Sequence, residues 1–215
     1  MYLIKAPFWI RWVYPQLLWR LPTQEKVIYL SFDDGPHESA TDFVLDQLKA
    51  HGAKACFFCI GKNVVKHPEI YQRILEEGHQ VGNHTQHHMN GWENEEAAYL
   101  QEVAAASEHI QSPLFRPPYG RIKRSAISKV KALLNERYLN MGASKIVMWD
   151  VLSGDFDTQI SGETCFQNVI KHTGPGSIIV FHDSTKAWER MSYALPKVLQ
   201  HFSALGYRFG TIPSK

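Results

Sequence analysis

The run Ser177-Ile178-Ile179-Val180-Phe181 constrains the fold of this chain more than any other segment. It is nearly continuous in strand-forming residues, with no polar alternation. Such a strand is buried on both faces, the condition found inside a parallel sheet covered by helices. Further strand-type segments stand at 27–32, 54–60, 80–83, 146–149 and 207–209. Between them lie helical patterns at 38–51, 68–77, 93–110, 124–136, 163–172 and 191–205. Pro68 opens one helix, and Gly52, Gly78 and Gly206 follow the ends of three. This alternation predicts an α/β fold with parallel strands and right-handed crossovers. Periodicity alone does not separate a barrel from an open sheet.

A chain of 215 residues, 44% hydrophobic, is long enough for one well-buried α/β core. With no internal repeat and no linker, it reads as a single domain over 26–215. Residues 1–25 form an apolar extension packed on that domain. The extension carries Phe8, Trp9, Ile10, Trp12, Val13 and Trp19, interrupted by Arg11, Pro15 and Arg20. It lacks a clean apolar core with a cleavage site, so it reads as no signal peptide, and the default location is the cytoplasm. It is also too interrupted to span a bilayer. Trp and Arg together would suit a membrane-surface contact instead. A net charge of +2 without a Lys/Arg run gives no expectation of nucleic acid, and no protein partner is implied. Three cysteines argue against a disulfide framework. Cys56 and Cys59 stand three apart in a strand, so they should face opposite sides and neither bridge nor chelate.

The chemistry-bearing residues follow strands. Asp33 and Asp34 come just after an apolar run and just before Gly35-Pro36. Adjacent carboxylates repel, and a divalent cation would reward their charge. Asp34 is the candidate ligand and Asp33 the candidate base; a solvated turn is the plain alternative. His84-Thr85-Gln86-His87-His88 follows the 80–83 strand. Imidazoles at i and i+4 would share a helix face, and i+3 would serve as well. Two His and one carboxylate with open positions make a catalytic rather than a structural metal set. Arg116-Pro117-Pro118-Tyr119-Gly120 is a rigid turn holding one cation. Asp155-Phe156 lies in an acidic loop, and Val180-Phe181-His182 ends the buried strand.

In order and content these five segments resemble the polysaccharide deacetylase family, also known as the NodB homology domain or carbohydrate esterase family four. The resemblance covers nearly all of the chain after residue 25. Motif four usually reads Asp-Trp and is Asp155-Phe156 here; the Leu-x-His of motif five is Val180-Phe181-His182. The resemblance implies a distorted, incomplete (β/α) barrel of about seven parallel strands. It implies metal ligation by Asp34, His84 and His88 rather than His87. Zinc is the default ion, with cobalt or nickel as substitutes.

By the same resemblance Asp33 is the base, paired with Arg116. His182 is the acid, oriented by Asp155, and the Tyr119 amide helps bind the oxyanion. Pro118, Phe156 and Val180 are expected to contact substrate. Trp92 and Trp188 are candidates for a sugar groove, whereas Trp149 reads as core. The implied activity is removal of N-acetyl groups from an N-acetylglucosamine-containing glycan or oligosaccharide. Alternatives are an O-acetyl esterase of the acetylxylan type, a non-catalytic carbohydrate-binding module and a structural metal protein. The intact acid and base argue against the module. The absence of Cys beside the His and Asp argues against a structural site.

Overall fold

The computed structural model describes residues 2–213; Met1, Ser214 and Lys215, at the outer ends of the two predicted segments, lie outside the described residues. In chain order the elements are α1 (Ile10–Val13), β1 (Leu17–Leu18), β2 (Val27–Asp33), α2 (Ala40–Ala50), β3 (Ala55–Cys59), α3 (Gly61–Lys66), α4 (Pro68–Glu76) and β4 (Gln80–Asn83). Then come α5 (Glu96–Ala106), β5 (Leu114–Phe115), α6 (Arg124–Arg137), β6 (Lys145–Val147), β7 (Val151–Leu152), α7 (Gly162–His172), β8 (Ile178–His182), α8 (Trp188–Ala204) and β9 (Arg208–Phe209). The strand order is β1-β6-β5-β4-β3-β2-β8-β7, with β9 on β2, and every pair is parallel. β1 and β7 lie at opposite ends of that order and do not pair, so the sheet is an open, curled half-barrel.

The period of two along each strand sorts its residues. On β2, Ile28, Leu30 and Phe32 pack outward under α2 and α8, while Val27 and Tyr29 pack inside the curl. Ser31 and Asp33 continue that inner row. On β8, Ile179 and Phe181 face outward and Ile178 inward, with Val180 and His182 following on the inner face. Cys56 packs inside and Cys59 outside, both as buried free thiols. A further apolar cluster lies between the sheet and α5–α6. Gly82 on β4 is required by packing, because a Cβ there would lie 2.5 Å from the Phe58 ring.

The N-terminal segment touches both edges of the half-barrel. Leu17 and Leu18 pair with Ile146 and Val147 of β6, and Lys5 makes an antiparallel bridge with Val151 of β7. Lys5 Nζ donates to the buried carboxylate of Asp150 at 2.6 Å, while Arg11 and Arg20 stand 3.5 Å from it. Trp19 and Leu17 are buried, but Phe8 is 69% and Trp12 is 77% exposed. Among the described residues no helix is long and apolar enough to cross a membrane.

Several local expectations need correction. Residues 84–88 are irregular rather than helical, because Asn83 and Thr85 side chains take the local amides. The helix expected over 93–110 is shorter, at Glu96–Ala106, and the strand expected at 146–149 ends at Val147. The two-residue strands β5 and β7 and the short helix α3 carry too little pattern to be read from sequence.

Candidate active site

Parallel register sets the centre of the site. Asp33, the last residue of β2, pairs with His182, the last residue of β8, and with Phe58 of β3. Asp33 and His182 line the mouth of the curl, where α/β barrels gather their chemistry, while Phe58 packs inside it. Beyond Asp33 the chain turns at Asp34, whose φ is 85°, into Gly35-Pro36. Asn63 Nδ2 donates to the Asp34 carbonyl at 2.7 Å. The Gly35 amide donates to Asp183 Oδ1 at 3.0 Å, and Thr41 Oγ1 donates to Asp183 Oδ2 at 2.5 Å. A Cβ at Gly35 would sit 2.0 Å from Asp183 Oδ2, so only glycine fits there. Asp183, next to His182, thus anchors the turn that aims Asp34. Sequence reasoning missed it, although its place beside the strand-end His was the available signal.

The 84–88 loop delivers two imidazoles. The Asn83 side chain is tied to Val103 O and Ser107 Oγ, and its Oδ1 accepts the Thr85 amide at 2.8 Å. Thr85 and His88 both take positive φ, near 60°. His84 Nδ1 bonds the Arg116 carbonyl at 2.7 Å, so Nδ1 carries the proton and Nε2 presents a lone pair. Burial, with the neighbouring His88 next in effect, pushes His84 down to about 3 and keeps it neutral. Burial also lowers His88. The Nε2 atoms of His84 and His88 lie 3.9 and 3.3 Å from Asp34 Oδ1. That oxygen is buried and accepts no hydrogen bond among the described residues. One ligand atom from each of Asp34, His84 and His88 lies within 4.8 Å of the others. Two neutral imidazoles and an orphaned carboxylate oxygen fit a divalent cation, with room left for exchangeable ligands. His87 turns away instead: its Nδ1 lies 2.9 Å from Glu102 Oε1, and its amide donates to Glu102 Oε2.

Arg116 is fully buried inside the curl. Its Nη1 donates to Asp33 Oδ1 at 2.6 Å and Ser31 Oγ at 2.8 Å. Nε and Nη2 donate to the carbonyls of Val147 and Met148, and the guanidinium lies 4.0 Å from the Phe58 ring centroid. The bonds to Ser31 and the two carbonyls, with the Phe58 contact, thereby fix the cation against Asp33. Across the mouth, Asp155 accepts twice from His182: from the amide at 2.7 Å and at Nδ1, also 2.7 Å. Burial disfavours charge on His182, but the Asp155 charge and hydrogen bond outweigh it and raise the imidazole to about 10.

Asp33, Asp34, His84, His88 and His182 line a cleft of about 490 Å³ together with Tyr119, Phe156 and Val180, while Arg116 and Asp155 lie buried behind it. Tyr119 holds a left-handed φ of 60°, and its ring packs edge-on to His88. The tight turn uses the amides of Gly120 and Arg121, and the Tyr119 amide is not among those bonds. Phe156 packs against His182 at 5.4 Å. Pro118, expected at the substrate, is buried and does not line the cleft; Gly120 takes that place. Trp92 and Trp188 also lie outside it: Trp92 Nε1 donates to Ile122 O, and Trp188 packs on Phe43. Trp149, expected in the core, is half-buried and lines the wall. Tyr2 and Leu152 line it as well, from segments whose sequence carries no chemical motif.

A family model described as "Polysaccharide deacetylase" matches residues 20–136. A peptidoglycan-N-acetylglucosamine deacetylase of Bacillus cereus is 34% identical over 90% of this chain and 69% of its own length. The peptidoglycan-N-acetylmuramic acid deacetylase PdaC of Bacillus subtilis is 29% identical over 87% of this chain, a match that spans 38% of PdaC. The crystal structure of the Bc1960 peptidoglycan N-acetylglucosamine deacetylase superposes with a TM-score of 0.84 at 31% identity, covering 97% of this chain and 96% of that one.

Proposed function

The chain belongs to the polysaccharide deacetylase family, and from that premise we propose that it is a metal-dependent hydrolase removing N-acetyl groups from an N-acetylglucosamine-containing glycan. The observation that carries this reading is the pairing of two opposed machines in one cleft. An Arg-held carboxylate, Asp33, stands in register with an Asp-held imidazolium, His182. Hydrolysis of an amide needs both, because the attacking water must lose a proton and the departing amine must gain one.

Asp34, His84 and His88 would hold the ion, and His87 would not. Zinc suits two neutral imidazoles and a carboxylate, and cobalt or nickel could replace it. Bound there, the ion supplies Lewis acidity for the acetyl carbonyl and for water. Asp33 accepts the proton of the attacking water while Arg116 fixes its other oxygen. The Tyr119 amide donates to the oxyanion that develops on the carbonyl. His182 delivers its Nε2 proton to the leaving nitrogen, and Asp155 holds the ring in place through Nδ1. Phe156 and Val180 provide an apolar wall for the acetyl methyl. Exposed Phe8 and Trp12 support a lipid-surface contact, read by sedimentation with vesicles.

The test is acetate release from chitooligosaccharides, peptidoglycan fragments and acetylxylan, before and after chelation and with zinc restored. Release from the N-acetylated substrates, lost on chelation and regained with zinc, is expected. Release from the acetylated xylan alone, or from none of them, would overturn the reading.

A further inference from the structure

Tyr2 comes from the far N-terminus, yet it lines the same cleft as His182. Its ring packs on Phe156 at 4.9 Å, and Phe156 packs on His182 at 5.4 Å. Tyr2 is therefore one ring further from the reacting atoms than Phe156. Its position is tightly fixed. The hydroxyl donates to Asp157 Oδ2 at 2.7 Å, while Asp157 Oδ1 accepts the Gln159 amide at 2.9 Å. Gly154 leaves room beneath it, since a Cβ there would come within 3.2 Å of that hydroxyl. The backbone behind Tyr2 is tied to β7: Leu152 N donates to Ile4 O at 2.8 Å, and Ala6 N donates to Asp150 O at 2.9 Å. With its hydroxyl engaged, Tyr2 offers the cleft mainly a ring face.

We propose that Tyr2 is a specificity-determining residue, an aromatic platform for the sugar unit next to the one that is deacetylated. The inference rests on the glycan deacetylase reading. A pyranose ring has an apolar C–H face, and a fixed aromatic ring buries that face at little entropic cost. Tyr2 lies beyond the reach of the acetyl group, so its contact is made equally in the ground state and the transition state. Uniform binding of that kind appears in KM and leaves kcat alone. The ligand class is an oligosaccharide of at least two pyranose units, not an isolated N-acetyl sugar.

Zinc-loaded wild type, Tyr2→Ala and Tyr2→Phe are compared on the tetramer of N-acetylglucosamine, with acetate release as the kinetic readout. Calorimetry of the same tetramer, in an Asp33→Asn background so that the ligand is not consumed, reads binding alone. Tyr2→Ala should raise KM and the dissociation constant about tenfold, equivalent to about 1.4 kcal/mol, with kcat within about twofold. Tyr2→Phe keeps the ring, loses the Asp157 bond and should restore both constants. An unchanged dissociation constant in Tyr2→Ala overturns the proposal. So does a loss of kcat shared by Ala and Phe, which would make Tyr2 only a clamp on the Asp155 loop. Absence of acetate release from wild type, with tetramer binding intact and weakened by Tyr2→Ala, instead sinks the deacetylase reading and retains the platform.

Discussion

Arg116→Met tests whether the buried cation exists to hold Asp33. The methionine fills most of the volume inside the curl and removes all the donors. Asp33, only 4% exposed, then loses its 2.6 Å partner. Breaking a buried ion pair from one side costs about 3–5 kcal/mol. The carbonyls of Val147 and Met148 lose their donors too, so the low end is a floor. For a chain of this size, each kcal/mol moves Tm by roughly 2–4 °C, which gives a fall of roughly 6–20 °C. The control is Arg116→Met combined with Asp33→Asn. It removes the stranded charge and should recover a large part of the loss, leaving mainly the carbonyl term. The assay is urea unfolding of all variants at one metal concentration, with Cm and slope compared. A single mutant within about 1 kcal/mol of wild type, or a double mutant no more stable than the single, would refute the reasoning.

Asp33→Asn alone should keep its metal by elemental analysis and lose ~10²–10⁴-fold in kcat; near wild-type acetate release would remove Asp33 from the proton transfer. With His182 as the proposed acid, acting protonated, activity should hold below its raised value of about 10 and fail above it in a pH–rate profile. Asp155→Asn removes the charge that raises it, so the alkaline limb of kcat/KM should move to lower pH, and an unmoved limb would exclude His182 as the acid. His88→Ala should bind less metal than wild type while His87→Ala, whose ring is spent on Glu102, retains it; the reverse ordering of metal content would show that the loop offers the other imidazole.

The strands that carry chemistry were legible because each combines a buried apolar run with an abrupt polar end. Asp33 and His182 mark two such ends, and parallel register does the rest. His84 to His88 was legible in composition and not in conformation. Their approach depends on side-chain bonds from Asn83 and Thr85 and on two left-handed residues, which helical spacing does not encode. Pro118 stays out of the cleft because a 3₁₀ turn directs Tyr119 and Gly120, not the preceding proline, to it, and Trp149 lines the wall beside Gly120. Tyr2, Asp150 and Asp183 act through partners far away in sequence, and no local pattern announces a contact of that range.

The N-terminal segment that touches both sheet edges has a consequence for biogenesis. Lys5 finds Asp150 across 145 residues, and β1 must await β6. At the usual pace of translation, 5–20 residues per second, the segment emerges roughly 7–30 s before its docking strands exist. Until then Trp19, Leu17 and the apolar residues around them stay in water, available to chaperones. Contacts of such long range are slow to form, so the segment should dock late on a sheet already assembled. Pulse-labelled hydrogen exchange would then see protection appear at β2, β3 and β8 before it appears at Leu17 and Leu18.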